Sequence, residues 1–197
     1  FVVLRFRRRG LARRRPDHDG RHRDADGPHQ FDRLQRHRHA PRHEPPGGHA
    51  EHPGRLQAVL DALEAMPLDR REAPHAEKDD IARVHPYAYI NALEPAFAET
   101  AEARVRLDPD TYISSGSREA IYRPAGACVA AVDAVMTGED DMAFCAVRPP
   151  GHHAEPARAM GFCLFNSIAV GAAWARREGL ARVAIVDFDV HHGNGTQ

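Results

Sequence analysis

The chain has 197 residues, 42% hydrophobic and 28% charged, with a formal net charge of −1 and three cysteines. That length permits one domain with a good core. No apolar stretch approaches about 18 residues and no signal-peptide core is present, which excludes a membrane span or a secretory leader as the expected reading.

The averages join two unlike parts. Phe1–Arg42 carries 13 Arg against 5 Asp, with no Glu or Lys, a net of +8 that leaves −9 for the remainder. Beyond Leu11 it has almost no apolar periodicity, so it cannot bury a core and is expected to be disordered. A basic arm can hold nucleic acid through phosphates, but here Asp and His are mixed in irregularly and stacking aromatics are nearly absent. Nucleic acid is therefore not the expected partner. One lysine, Lys78, against 26 arginines fits a GC-rich gene. The expectation is out-of-frame translation of residues 1–42, with a domain over residues 43–197.

Within that domain the spacing predicts a helix over Arg55–Met66, with Leu56, Val59, Leu60 and Leu63 on one face and Pro67 ending it. Asp79 or Asp80 can cap a short helix carrying Ile81 and Val84, and Pro86 can open the next, carrying Tyr89, Ile90 and Leu93. Ser117 can cap a helix reaching Thr137, with Ile121, Ala125, Cys128, Val132 and Val135 at helical spacing. Pro124 predicts a late start or a kink in it, and Gly138 closes it. A strand Met142–Val147 follows, then a helix from Asn166 or Ser167 to Glu178, then a strand Val183–Phe188. Strands alternating with helices imply a parallel sheet with right-handed crossovers. Cys128, Cys145 and Cys163 form no Cys-x-x-Cys pair and lie in or near apolar runs, as reduced thiols of a cytoplasmic protein would.

Two polar clusters stand at predicted strand ends, where open α/β sheets place their chemistry. The first is Asp187-Phe188-Asp189-Val190-His191-His192-Gly193-Asn194-Gly195-Thr196. Asp and His suit a divalent metal such as zinc, and Asp-x-His puts both side chains on one face of an extended strand. The second is Arg148-Pro149-Pro150-Gly151-His152-His153. Prolines and glycine stop the strand, and paired imidazoles suit acid–base work beside a metal-activated water. Either cluster alone could be a solvated loop; together they point to amide hydrolysis.

These segments, with Gly161-Phe162-Cys163 and Asn166, resemble the histone deacetylase superfamily, which includes bacterial acetylpolyamine amidohydrolases. Pro-Pro-Gly-His-His-Ala and His-His-Gly-Asn-Gly-Thr-Gln resemble its class II branch. Gly47-Gly48-His49-Ala50-Glu51-His52-Pro53-Gly54-Arg55-Leu56, Val84-His85-Pro86 and Leu107–Ser114 fit its earlier stretches. The resemblance runs from about His43 to Gln197 and implies an arginase/deacetylase-like α/β fold, three-layer α/β/α with a parallel sheet, incomplete at the C-terminus.

It also implies residue roles. Asp189 and His191 would be Zn2+ ligands, Asp187 would orient His152, and Asn194 would partner His153. A neutral amide stabilises an imidazolium less than a carboxylate does, which makes His153 the expected general base and His152 the more electrostatic partner. Backbone carbonyls around Asp187, Asp189 and His191 resemble a K+ site. Gly161 and Phe162 resemble the floor and wall of an acyl-lysine tunnel, and Asp110 a rim carboxylate that accepts from the substrate backbone. Without the resemblance, Phe162 can be core and Asp110 a turn residue; His75 and His85 read as surface or satisfied core residues. The family's third zinc ligand, an Asp, and its carbonyl-polarising Tyr do not occur up to Gln197. The expectation is the N-terminal part of a zinc-dependent deacetylase for acetyl-lysine peptides or acetylpolyamines, with little activity as this chain alone. The rivals are a non-catalytic interaction fragment and a basic nucleic-acid binder driven by residues 1–42.

Overall fold

The computed structural model describes the backbone of Val2–Arg5 and Arg33–Arg36, together with residues 43, 45–101 and 103–197. The segment expected to be disordered, residues 1–42, lies outside the described residues except for those two tetrapeptides, which are strands β1 (Val2–Arg5) and β2 (Arg33–Arg36). With β3 (Asp69–Glu72) and β6 (Met142–Ala146) they form a four-stranded sheet of order β1-β6-β2-β3. β2 pairs parallel to both β3 and β6, and β1 runs antiparallel to β6, so the sheet is mixed. β3 reads Asp-Arg-Arg-Glu, without apolar alternation; it is an edge strand, where charge is tolerated and discourages further pairing.

Alternation along β6 divides its side chains between two helices. Ala143 and Cys145, with Val147 just beyond, cluster with Ala127, Ala131 and Val135 of α4 (Ser117–Thr137). Phe144 and Ala146 cluster with Leu56, Val59 and Leu60 of α1 (Pro53–Ala62). α1 ends before the expected Met66, and the Arg70 guanidinium takes up the carbonyls freed there, those of Leu63, Glu64 and Met66. α2 (Lys78–Ile81) and α3 (Tyr87–Glu99) follow, the latter entered from Pro86, and the two-residue strands β4 (Val105–Arg106) and β5 (Tyr112–Ile113) form a small hairpin. α4 starts at Ser117 with Gly116 as its cap residue and runs through Pro124 as one helix, in place of the late start or kink. Gly138, at φ 82°, ends it in the left-handed region that glycine tolerates. α5 (Ser167–Arg177) is capped by Asn166, whose side-chain oxygen accepts from the Ala169 amide at 3.1 Å.

The expected strand Val183–Phe188 does not form. Residues 182–190 run without a ladder partner, and Val186, Phe188 and Val190 are 85%, 84% and 91% exposed. Both edges of β6 are already taken by β1 and β2, and a parallel strand without a neighbour has nothing to satisfy its amides and carbonyls. An apolar run signals burial only if a partner exists. No helix among the described residues is long and apolar enough to cross a membrane.

Candidate active site

The loop after β6 is anchored by a buried ion pair. Arg148 and Glu51 are only 5% and 3% exposed, so each charge requires a partner. Arg148 donates from Nε to Glu51 Oε1 at 2.7 Å and from Nη2 to Glu51 Oε2 at 2.5 Å, and Nη2 also reaches the His43 carbonyl at 3.0 Å. His43 Nδ1 shares a hydrogen bond of 2.6 Å with Ser117 Oγ, which accepts from the Ser114 amide at 2.8 Å. Burial lowers the His43 pKa to about 4 against the opposing pull of the Glu51 carboxylate. This network ties the loops around residues 43–51, 114–117 and 148–153 together. The sequence assigns Glu51 no role; its only signal there is a carboxylate within the resemblance to an early family segment.

His152 and His153 sit side by side, ring centroids 4.1 Å apart and planes tilted by 50°. His152 Nδ1 lies 2.8 Å from Asp187 Oδ2, and His153 Nδ1 lies 2.8 Å from Asn194 Oδ1. A carboxylate only accepts, so His152 Nδ1 is the protonated nitrogen. The two segments lock through backbone: the Gly195 and Thr196 amides both donate to the His152 carbonyl, at 3.0 and 3.1 Å. Glycine is required at 195, because a Cβ there would come within 2.1 Å of the Ala154 carbonyl oxygen; one on Gly193 would come within 2.7 Å of Asp187 Oδ2 and push that carboxylate aside.

Asp187 and Asp189 each cap the amide two residues on: Asp189 N donates to Asp187 Oδ1 at 3.0 Å and His191 N to Asp189 Oδ1 at 2.8 Å. His191 Nδ1 lies 3.0 Å from that same Asp189 oxygen. Partial burial works to raise the Asp187 pKa, but the bonds from His152 and the Asp189 amide outweigh it and hold this carboxyl below its ordinary range. Asp189 is lowered mainly by the His191 amide. His191 reaches the histidine pair, its ring 6.1 Å from that of His153.

Gly161 and Phe162 both have positive φ, 57° and 69°. A Cβ on Gly161 would meet His153 Cδ2 at 2.4 Å, so the glycine lets the backbone lie against the imidazole. The Phe162 amide donates to Thr111 Oγ1 at 3.0 Å, and its ring stands edge-on to His49 at 4.7 Å. His49 Nδ1 accepts from the Glu51 amide, and Nε2 donates to the Asp110 carbonyl at 3.0 Å. Asp110 is exposed, its own amide held by Asp108 Oδ1. His85 is a satisfied core residue, with Nδ1 to the Pro156 carbonyl and Nε2 accepting from the Asn166 amide; His75 is a half-exposed partner of Glu119.

A cavity of about 720 Å³ opens beside this site, lined by Val147, His152, Ser167, Ile185, Asp187 and Asp189 among others. Asp110, Gly161 and Phe162 do not border it, so it is distinct from the expected acyl-lysine tunnel.

The family profile described as the histone deacetylase domain matches residues 49–197. The histone deacetylase-like amidohydrolase of Pseudomonas aeruginosa is 46% identical over 156 residues, covering 76% of this chain and 40% of that protein. The polyamine deacetylase HDAC10 of Homo sapiens is 38% identical over 162 residues, covering 75% of this chain and 23% of that protein. Among solved structures, the HDA15 HD domain matches with a TM-score of 0.78 and 33% identity, covering 84% of this chain and 50% of that one. The chain therefore spans half or less of the length of each of these three proteins.

Proposed function

Because the chain belongs to the histone deacetylase family, we propose that it carries the acid–base histidines of a zinc-dependent amidohydrolase that removes acetyl groups from lysine in peptides. The observation that carries this reading is the pair of imidazoles 4.1 Å apart, each held at Nδ1 by an acceptor from the same 187–194 segment. Asp187 brings a negative charge to His152; Asn194 brings none to His153. His153 is then the base, taking a proton from the attacking water and returning it to the departing amine nitrogen. His152 stabilises negative charge on the acyl oxygen.

Asp189 and His191 stand side by side, with His191 Nδ1 donating to Asp189 Oδ1 at 3.0 Å; both are residue types that zinc accepts, and the imidazole would bind it through a nitrogen that carries no proton. No cluster of three His, Cys, Asp or Glu able to hold a metal occurs among the described residues, so Asp189 and His191 would supply two ligands and not a complete set. Zinc, when bound, supplies Lewis-acid polarisation of the acyl carbonyl and of water. Gly161 and Phe162 would flank the acyl-lysine stem, Asp110 would accept from the substrate backbone, and the carbonyls around residues 187–191 would be open to potassium. We assign the whole domain a three-layer α/β/α fold with a parallel sheet. A cytoplasmic setting suits its three buried, free thiols.

The test is calorimetric zinc titration of the chain beside Asp189→Ala and His191→Ala, with an acetyl-lysine peptide and an acetylated polyamine offered to the same samples. One-to-one binding lost in both variants supports the site, and binding unchanged in both overturns it. Turnover by residues 1–197 is expected to be weak; cleavage of the polyamine alone would move the reading to an acetylpolyamine amidohydrolase.

A further inference from the structure

We infer that Glu155 is a positioning residue of the histidine pair: it sets which way round the Asn194 amide lies and, through it, which nitrogen of His153 carries the proton. The inference rests on the acid–base role proposed for His153. An amide side chain is nearly symmetric in shape, and an imidazole nitrogen can donate or accept, so the 2.8 Å contact between His153 and Asn194 does not by itself choose an orientation. The other end of the amide does. Asn194 Nδ2 lies 3.1 Å from Glu155 Oε1, 3.4 Å from Met160 Sδ and 3.4 Å from the His153 carbonyl. All three are acceptors, and the carboxylate, being charged, is the strongest. Turning the amide over would set oxygen against all three. The NH2 group therefore faces Glu155, Oδ1 faces His153, and Nδ1 is the protonated nitrogen. Nε2 is left with its lone pair, as a base requires.

Glu155 is itself held. It closes a tight turn with Arg158 through reciprocal backbone bonds of 3.0 and 3.3 Å. The next carbonyl, that of Pro156, accepts from wholly buried His85 Nδ1 at 3.0 Å, and His85 Nε2 accepts from the Asn166 amide. Asn166 caps α5 and donates to Thr196 Oγ1 at 3.0 Å, two residues from Asn194. The same geometry explains an amide rather than a carboxylate at position 194. An aspartate there would lose the donor and face the Glu155 carboxylate. The partner of His153 is accordingly a neutral amide, in contrast to the charged partner of His152.

Nitrogen-15 NMR of the histidine-labelled chain in mildly alkaline buffer reads the tautomer of each ring. Wild type is expected to hold His153 as Nδ1–H. Glu155→Gln keeps an acceptor for Asn194 and should keep that form. Glu155→Met, of similar length without a strong acceptor, should lower the ratio of Nδ1–H to Nε2–H several-fold and leave His152 unchanged. Circular dichroism confirms that each variant is folded. In addition, Asn194→Asp should lower the melting temperature more in the wild-type background than in the Glu155→Gln background. Glu155→Met retaining the wild-type tautomer, Glu155→Gln losing it as fully as Glu155→Met, or equal losses from Asn194→Asp in both backgrounds would each overturn the assignment. None of these readouts needs turnover. Zinc binding unchanged in both Asp189→Ala and His191→Ala would refute the proposed function without moving these readouts, whereas Glu155→Met retaining the wild-type tautomer would refute the role of Glu155 alone.

Discussion

Replacing Gly161 by alanine tests the close approach on which the His153 position depends. The added Cβ would sit 2.4, 2.6 and 2.8 Å from His153 Cδ2, Cγ and Cβ, at a residue with φ 57°. The left-handed backbone costs an L-residue about 1–2 kcal/mol, and overpacking of this kind typically adds about 1–3 kcal/mol. A total near 2–5 kcal/mol corresponds to a fall in melting temperature of roughly 5–15 °C for a chain of this size. Gly48 is the control: its φ is 80°, and a Cβ added there would meet nothing within 4 Å, so Gly48→Ala should lose only the backbone part. Urea denaturation of both variants separates the contact from the backbone. In a His153→Ala background, which removes the two nearest atoms, most of the excess should disappear, a coupling that a double-mutant cycle reads directly. If Gly161→Ala is no worse than Gly48→Ala, or its loss is unchanged without the imidazole, His153 does not lie against Gly161 and the site geometry is wrong.

Acid should weaken the fold before the carboxylates protonate. His43 titrates at about 4 when folded against 6.5 when free, so its stabilising contribution is complete above pH 6.5 and is lost as pH falls towards 4. The loss is on the order of 3 kcal/mol; His85, also lowered by burial, acts in the same direction. Urea midpoints across that range should slope less in His43→Asn, and identical slopes would contradict a buried neutral ring. Arg148→Met strands the Glu51 carboxylate and should lose about 3–5 kcal/mol, whereas the double change Glu51→Met, Arg148→Met should recover much of it; chemical denaturation measures both. Phe188→Ser should reduce binding of a hydrophobic dye with little change in melting temperature, because that side chain is 84% exposed. A large drop in melting temperature would place it in a core.

Local signals locate most of the helices. The Asn166 cap of α5, the Pro86 entry to α3 and the Gly138 stop of α4 each depend on residues within about one turn, and each occurs where spacing puts it. Pro124 reads as a break from the same kind of signal, yet α4 continues through it, flanked on its buried face by Ile121, Ala125 and Cys128. The strand Val183–Phe188 shows the opposite limit, since a strand exists only through its neighbours. In the site, the motif wording singles out His152, His153, Asp187 and Asn194, which meet across separations of 35 and 41 residues. It gives no role to Glu51, which reaches Arg148 across 97, or to Glu155, which reaches Asn194 across 39.

The helix ends marked by Pro86, Gly138 and Asn166, and the side chains that bring acid–base and metal-binding chemistry, were legible from the sequence, because caps, periodicity and residue type act over a few neighbouring positions. Tertiary structure alone decided which strands find partners, which buried charge neutralises Arg148, and which way the Asn194 amide turns. Those outcomes depend on burial and on acceptors delivered from remote parts of the chain, and no short stretch of sequence contains them.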